Sequence, residues 1–180
     1  DLSLNHNLKE ISSRAFSSCP IDSISIPSNI EYIKSSSFAF CRKLETVNIP
    51  IDSKLQRIES NAFESTNIKK LSIPSNTILC EKWCHSSFEL NQIELIERDE
   101  KYYDYFDNGW IIGKTDLEQN NFDTLVFVPR NTKTITIPSF ITSIYSYACC
   151  CCKIKKIVIS NQITHIGSYA FSECEQLRSV

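Results

Sequence analysis

The chain has 180 residues and a formal net charge of -2, so it carries no basic field for nucleic acid or an acidic membrane surface. Hydrophobic residues at 42% and charged residues at 22% suit a chain that packs a core, which excludes wholesale disorder. No stretch approaches the ~18 consecutive apolar residues of a membrane helix, and no signal peptide is visible.

In chain order, the first predicted coil is a phrase, Ile11-x-x-x-Ala15-Phe16-x-x-Cys19, followed by Ile24-Ser25-Ile26-Pro27. The second is Ile33, Phe38 and Cys41 with Leu44, Val47, Ile49 and Pro50. The third is Ile58, Ala62 and Phe63 with Ile68, Leu71, Ile73 and Pro74. From Pro27 to Pro50, Pro74 and Ile96 the steps are 23, 24 and 22 residues. A fixed period of this size signals stacked repeats, none of which can bury its apolar face alone. Val47 and Ile49 alternate with Thr46 and Asn48, the period of a half-buried strand, and proline at the corner ends it because it donates no hydrogen bond. Pairs such as Ile30 with Ile33 and Ile141 with Ile144 predict a second, shorter strand on the opposite wall.

The fourth coil departs from the phrase. If Leu79 is its repeat isoleucine, Trp83 takes the small slot of Ala15 and Ala62, and Cys84 takes the Phe slot, so large and small trade places. Residues 97–129 then form an insertion with Glu97, Asp99, Glu100, Tyr102, Tyr103, Asp104, Tyr105, Phe106, Asp107 and Trp110. Pro129 and Pro138 are too close to bracket a full coil, and the pattern leaves open which wall Leu125–Val128 joins. The phrase resumes as Ile144, Ala148, Cys152, Ile154, Ile157 and Ile159, then as Ile166, Ala170, Phe171 and Cys174. The chain opens mid-repeat at Asp1 and stops on Leu177 and Val180 as another strand begins, so it reads as a piece of a longer array. The expectation is a mainly β fold with short helical turns: a right-handed parallel β-solenoid of about seven or eight coils, one domain over 1–180.

The Ala-Phe-x-x-Cys-type turns at 15–19, 148–152 and 170–174, the Ile-Pro corners and Ile166-Gly167-Ser168-Tyr169-Ala170-Phe171 resemble the BspA-like, Treponema-type leucine-rich repeat family. The block from Phe122 to Ile144 looks like that family's longer coil variant. Such repeats occur on surface proteins of oral bacteria and of protists such as trichomonads and Entamoeba. The resemblance implies a cell-surface or extracellular module that contacts host cells or extracellular matrix proteins.

Cys19, Cys41, Cys152 and Cys174 fall on one repeat slot, filled by Thr66 and Ser87 elsewhere, which reads as a column of buried thiols packed as small hydrophobes. Cys19–Cys41 and Cys152–Cys174 disulfides are the alternative, disfavoured by parallel stacking. Cys150 and Cys151 are expected on the solvent side. A zinc site joining Cys80, Cys84 and His85 to Cys149–Cys152 would have to span two or three coils, about 10–15 Å, against Zn–S bonds of ~2.3 Å. Asp99, Asp104 and Asp107 lack calcium-loop spacing. His6, His85 and His165 sit in no catalytic motif, and Gly109, Gly113 and Gly167 form no phosphate loop. No enzyme, metal or cofactor is therefore expected.

What remains is surface. One outward column is Ser23, Thr46, Lys70, Gln92, Thr134 and Lys156, and the next is Ser25, Asn48, Ser72, Glu94, Thr136 and Val158. Nine of these are candidate protein-binding residues: Thr46, Asn48, Lys70, Ser72, Gln92, Glu94, Thr134, Thr136 and Lys156. Tyr102, Tyr103, Tyr105 and Trp110 in the insertion either contact a partner or fold back to cap the widened coil. The rival to surface adhesion is a cytoplasmic scaffold, which nine cysteines with no need of oxidation would suit.

Overall fold

The computed structural model describes residues 2, 5 and 7–180, leaving Asp1, Ser3, Leu4 and His6 outside the description. It contains almost no helix. Parallel strands stack as a β-solenoid of about seven turns, in two compact units, Asp1–Lys101 and Tyr102–Val180.

In the first unit each coil contributes one strand to each of two parallel sheets. The main sheet joins β2 (Ser23–Ser25), β4 (Thr46–Asn48), β6 (Lys70–Pro74) and β8 (Gln92–Ile96) in that order. Its register sets Ile24, Val47, Leu71 and Ile93 on successive rungs, so equivalent aliphatic residues stack inward. The second sheet joins β1 (Glu10–Ile11), β3 (Tyr32–Ile33), β5 (Arg57–Ile58) and β7 (Ile78–Leu79), with Ile11, Ile33, Ile58 and Leu79 buried in line. Parallel pairing repeats each residue about every 4.8 Å. One apolar residue per slot thus becomes a continuous core.

The third wall is a turn with two left-handed residues per coil: Arg14 and Ser18, Ser36 and Phe40, Asn61 and Ser65, Lys82 and Ser86. None is glycine, so each costs about 1 kcal/mol or more. A hydrogen-bond ladder offsets that cost. The N–H groups of Arg14, Phe16 and Ser18 donate to the carbonyls of Ser35, Ser37 and Ala39 in the next coil at 3.1, 2.8 and 2.8 Å. Between them, Ala15, Ser17 and Cys19 donate back three residues within the turn, each at 3.1 Å. Every second amide ties one coil to the next.

Inside this wall the phenylalanines stack. Phe16, Phe38 and Phe63 follow at ring-centroid spacings of 5.4 Å with planes 4° apart. The exchange expected in the fourth coil is present: Phe63 N–H donates to the Trp83 carbonyl at 2.9 Å as Phe38 N–H donates to Ala62, so Trp83 holds the small slot. Its indole meets Phe63 edge-on at 6.5 Å, continuing the aromatic column from the neighbouring position.

In the second unit the short-strand sheet has the order β15 (His165–Ile166), β13 (Ser143–Ile144), β11 (Thr124–Phe127), β10 (Trp110–Gly113), β9 (Tyr103–Phe106). Leu125 pairs with Ile144, and Ile144 with Ile166, which assigns the segment left open by the sequence to this wall. From β11 outward the pairing turns antiparallel, because β9 and β10 form a hairpin closed by a 3-10 turn over Asp107–Gly109. The main wall of this unit is a separate parallel sheet of β12 (Thr134–Thr136) and β14 (Lys156–Val158). Pro129 lies two residues after β11, not at a main-strand corner. The turn wall of this coil is therefore cut short, which is why Pro129 and Pro138 come so close together.

Candidate functional site

The outward columns of the main sheet form as the alternation requires. In the first unit Ser23, Thr46, Lys70 and Gln92 are consecutive partners, and Ser25 pairs with Asn48 and Ser72 with Glu94. Thr46, Asn48, Lys70 and Gln92 are exposed, whereas Ser72 and Glu94 are half-buried. Glu94 organises this face. Its carboxylate accepts from Lys70 Nζ at 2.6 Å, Ser72 Oγ at 3.0 Å and Gln92 Nε2 at 3.3 Å. Hydrogen bonds from Lys70 and Ser72 hold its carboxyl below the ordinary carboxylate range. Asn48 Nδ2 donates to Ser25 Oγ at 3.4 Å. The result is a flat polar face whose charges are already partnered laterally. In the second unit Thr134 pairs with Lys156 and Thr136 with Val158, all four exposed.

Of the two roles expected of the insertion, folding back on the coil is the one that Trp110 takes. Trp110 is only 5% exposed and sits in the core with Leu125, Val128 and Ile144, so it caps the coil and is removed from the candidate contact residues. Amphipathic alternation along β10 cannot appear, since all four of its residues are buried. Tyr102 and Tyr103 are half-buried, and Tyr105 is 44% exposed. Phe106 meets Trp110 at 5.9 Å and Phe140 at 5.2 Å. Beyond the hairpin, Asp123 staples the following loop. It accepts from Thr115 N at 3.0 Å, Thr115 Oγ1 at 2.8 Å and Gln119 Nε2 at 3.1 Å, and from Thr142 Oγ1 at 3.3 Å. An open cleft of about 490 Å³ lies beside it, lined by Asn120, Asn121, Phe122, Phe140 and Thr142.

The cysteine slot has a structural task. The thiol of Cys41 donates to the carbonyl of Phe16, and that of Cys174 to the carbonyl of Cys149, at 2.9 and 3.0 Å. Ser87 does the same to Phe63 at 2.7 Å. Burial pushes the thiols of Cys41, Cys152 and Cys174 up, the last to about 12, so they keep the proton they donate. The nine cysteines are unbridged. Cys150 and Cys151, expected in solvent, are buried instead, packed with Tyr147 and in contact with Ser172 and Glu173 of the next turn. His165 is exposed, as its position before Ile166 implied.

Sequence reasoning missed Arg130. It is almost fully buried, donates to the carbonyls of Val128 and Ala148 at 3.4 and 3.2 Å, and lies 4.8 Å above the Phe127 ring. Only the shortened coil creates an interior carbonyl cluster for a guanidinium, and nothing in the local pattern announces it.

The family model of the BspA type leucine-rich repeat region matches six copies, over residues 1–94 and 114–180. The chain belongs to the BspA-type leucine-rich repeat family. Its unmatched stretch, residues 95–113, contains the β9–β10 hairpin. No curated protein matches the sequence. Among solved structures the BspA-type chain is similar to the pneumococcal vaccine antigen PcpA, at 24% identity and a TM-score of 0.82, covering 96% of this chain and 42% of that one. It is also similar to a leucine-rich cell surface protein from Faecalibacterium prausnitzii, at 21% identity and a TM-score of 0.77, covering 96% and 50%. A leucine-rich repeat protein from Eubacterium ventriosum follows at 17% identity and a TM-score of 0.73, covering 97% and 57%. The chain thus spans about half the length of these proteins, which share its fold. Leucine-rich repeats of this kind form a protein-interaction architecture. Among the described residues, no helix is long and apolar enough to cross a membrane.

Proposed function

We propose that this BspA-type module is a non-catalytic adhesive segment of a cell-surface or extracellular protein, binding a host-cell or extracellular matrix protein through its main sheet. The observation carrying the reading is the exposed column of Ser23, Thr46, Lys70 and Gln92, four consecutive coils presenting polar side chains in register, with Asn48 in the column beside it. Regular spacing suits an extended protein partner, since each rung repeats the same contact geometry. The names of two similar structures, a vaccine antigen and a cell surface protein, support the surface location. The second unit has its own exposed polar face in Thr134, Thr136 and Lys156, and Tyr105 is its exposed aromatic candidate.

The test is saturable binding of the purified chain to immobilised matrix proteins and to cultured epithelial cells. Replacing Thr46 and Asn48 together by arginine puts two bulky charges on the face without touching the core. It should weaken binding about tenfold or more. Equal binding by this variant would remove the face from the argument, and no saturable binding by the parent chain would remove adhesion.

A further inference from the structure

The four-cysteine run at 149–152 does two different things. Cys149 and Cys152 point into the aliphatic core, but Cys150 and Cys151 form a separate cluster with Tyr147. The two sulfurs lie 3.3 Å apart. Ser172 Oγ donates to Cys150 Sγ at 3.2 Å, and Cys151 Sγ donates to Glu173 Oε2 at 3.1 Å. A nucleophile, a second thiol within bonding reach and a carboxylate to accept its proton are thus assembled from two adjacent coils. Repetition alone requires none of this.

We propose that Cys150 and Cys151 are a peroxide-reactive dithiol, oxidised reversibly to a disulfide between neighbouring residues. Cys150 is the acidic member. The Cys151 thiol, whose single proton can turn from Glu173 to Cys150, lowers its titration most; Ser172 and the positive charge of Arg130 add to this, and together they outweigh burial and the opposing charge of Glu173. Cys151 is driven the opposite way, chiefly by its pairing with Cys150 and then by burial, so it remains a thiol. Burial also selects the oxidant: Cys150 is 0% and Cys151 3% exposed, so local opening of the coil is needed, and hydrogen peroxide requires far less of it than a bulky disulfide.

The Cys150 thiolate attacks one peroxide oxygen. An S–O bond forms, the O–O bond breaks, and hydroxide leaves to be protonated to water, giving a sulfenic acid. Cys151 then passes its proton to Glu173 and attacks the Cys150 sulfur. The S–O bond breaks, and the departing hydroxide takes the proton from Glu173 as a second water. Two thiols have lost two electrons to one peroxide. Adjacent Cα atoms lie about 3.8 Å apart, below the 4.4–6.8 Å range of ordinary disulfides, so the bond is strained and readily reduced. Oxidation also removes the thiol that holds Glu173, loosening the turn of residues 167–173 from that of 145–151.

The test treats the reduced, folded chain with one equivalent of hydrogen peroxide and maps the products by mass spectrometry. The expected result is a loss of about 2 Da located to Cys150 and Cys151, reversed by dithiothreitol, with Cys149 and Cys152 still alkylatable. Cys151→Ser should halt at a sulfenic acid on Cys150 that dimedone traps. In the folded chain Cys150 should react at least about tenfold faster than Cys149, a preference that urea abolishes. Oxidation first at half-buried Cys19, Cys80 or Cys174, with Cys150 and Cys151 left as thiols, would overturn the proposal. So would an unreactive Cys150 in a Cys151→Ser chain whose circular dichroism is native.

Discussion

The Cys41 thiol donates to the carbonyl oxygen of Phe16, 25 residues earlier and one coil away, at 2.9 Å. This contact explains why the slot alternates between cysteine, threonine and serine. Each offers one short donor to the turn wall of the solenoid, and an aliphatic side chain of similar volume does not. Cys41→Ser should therefore be well tolerated. Cys41→Val should be less stable than the serine variant by about 1 kcal/mol, because a turn carbonyl loses its side-chain partner. Urea midpoints of the two variants measured side by side check this.

Phe63 is sandwiched between Phe38 at 5.4 Å and Trp83 at 6.5 Å. Truncation to alanine opens a cavity that the rigid rungs on both sides cannot close. The expected cost is about 3–5 kcal/mol. Phe16 is half-buried, so Phe16→Ala should cost clearly less in the same denaturation series.

Ser18 has an exposed side chain and φ of 62°, so substitutions there report on backbone strain alone. Ser18→Gly should be close to neutral, relief of strain offsetting the added flexibility of the unfolded chain. Ser18→Val should destabilise by about 1–2 kcal/mol, since a β-branched residue resists the left-handed region. Thermal unfolding of the pair distinguishes the two.

Gly167 marks a different constraint. A Cβ there would lie 2.4 Å from the Ser146 backbone nitrogen. Gly167→Ala should cost about 1–3 kcal/mol and lower the protection of the 165–171 segment in hydrogen exchange.

Acid should weaken the fold through Glu59 and Asp123. Burial raises the Glu59 carboxyl most strongly, but hydrogen bonds from Lys34 and Ser35, with the lysine charge, together leave it below its ordinary 4.5. Burial likewise acts first on Asp123, and bonds from Thr115, Gln119 and Thr142 leave it below 3.8. A lowered carboxyl in the folded chain means that the unfolded chain binds more protons in acid. The stabilisation is complete above about 4.5 and is lost as pH falls through the folded-state values. Unfolding free energy measured from pH 6 to pH 3 should decline, and Glu59→Gln with Asp123→Asn should flatten the slope.

Period, strand alternation and slot identity were legible in the sequence because a stacked repeat makes each coil pack against a near-copy of itself. Val47 meets Leu71 and Phe16 meets Phe38 for the same local reason, so a pattern read along the chain is also a pattern read across it. The outward columns followed from the same alternation. Trp110 and Arg130 did not follow, because their surroundings come from the two irregularities. The hairpin turns an apparent aromatic loop into an antiparallel strand buried on every residue, and the shortened coil opens an interior site for a guanidinium. Burial at these positions depends on where the chain returns after an insertion, and side-chain order within a segment cannot encode that. Tertiary structure therefore decided which aromatics are core and which thiols face one another.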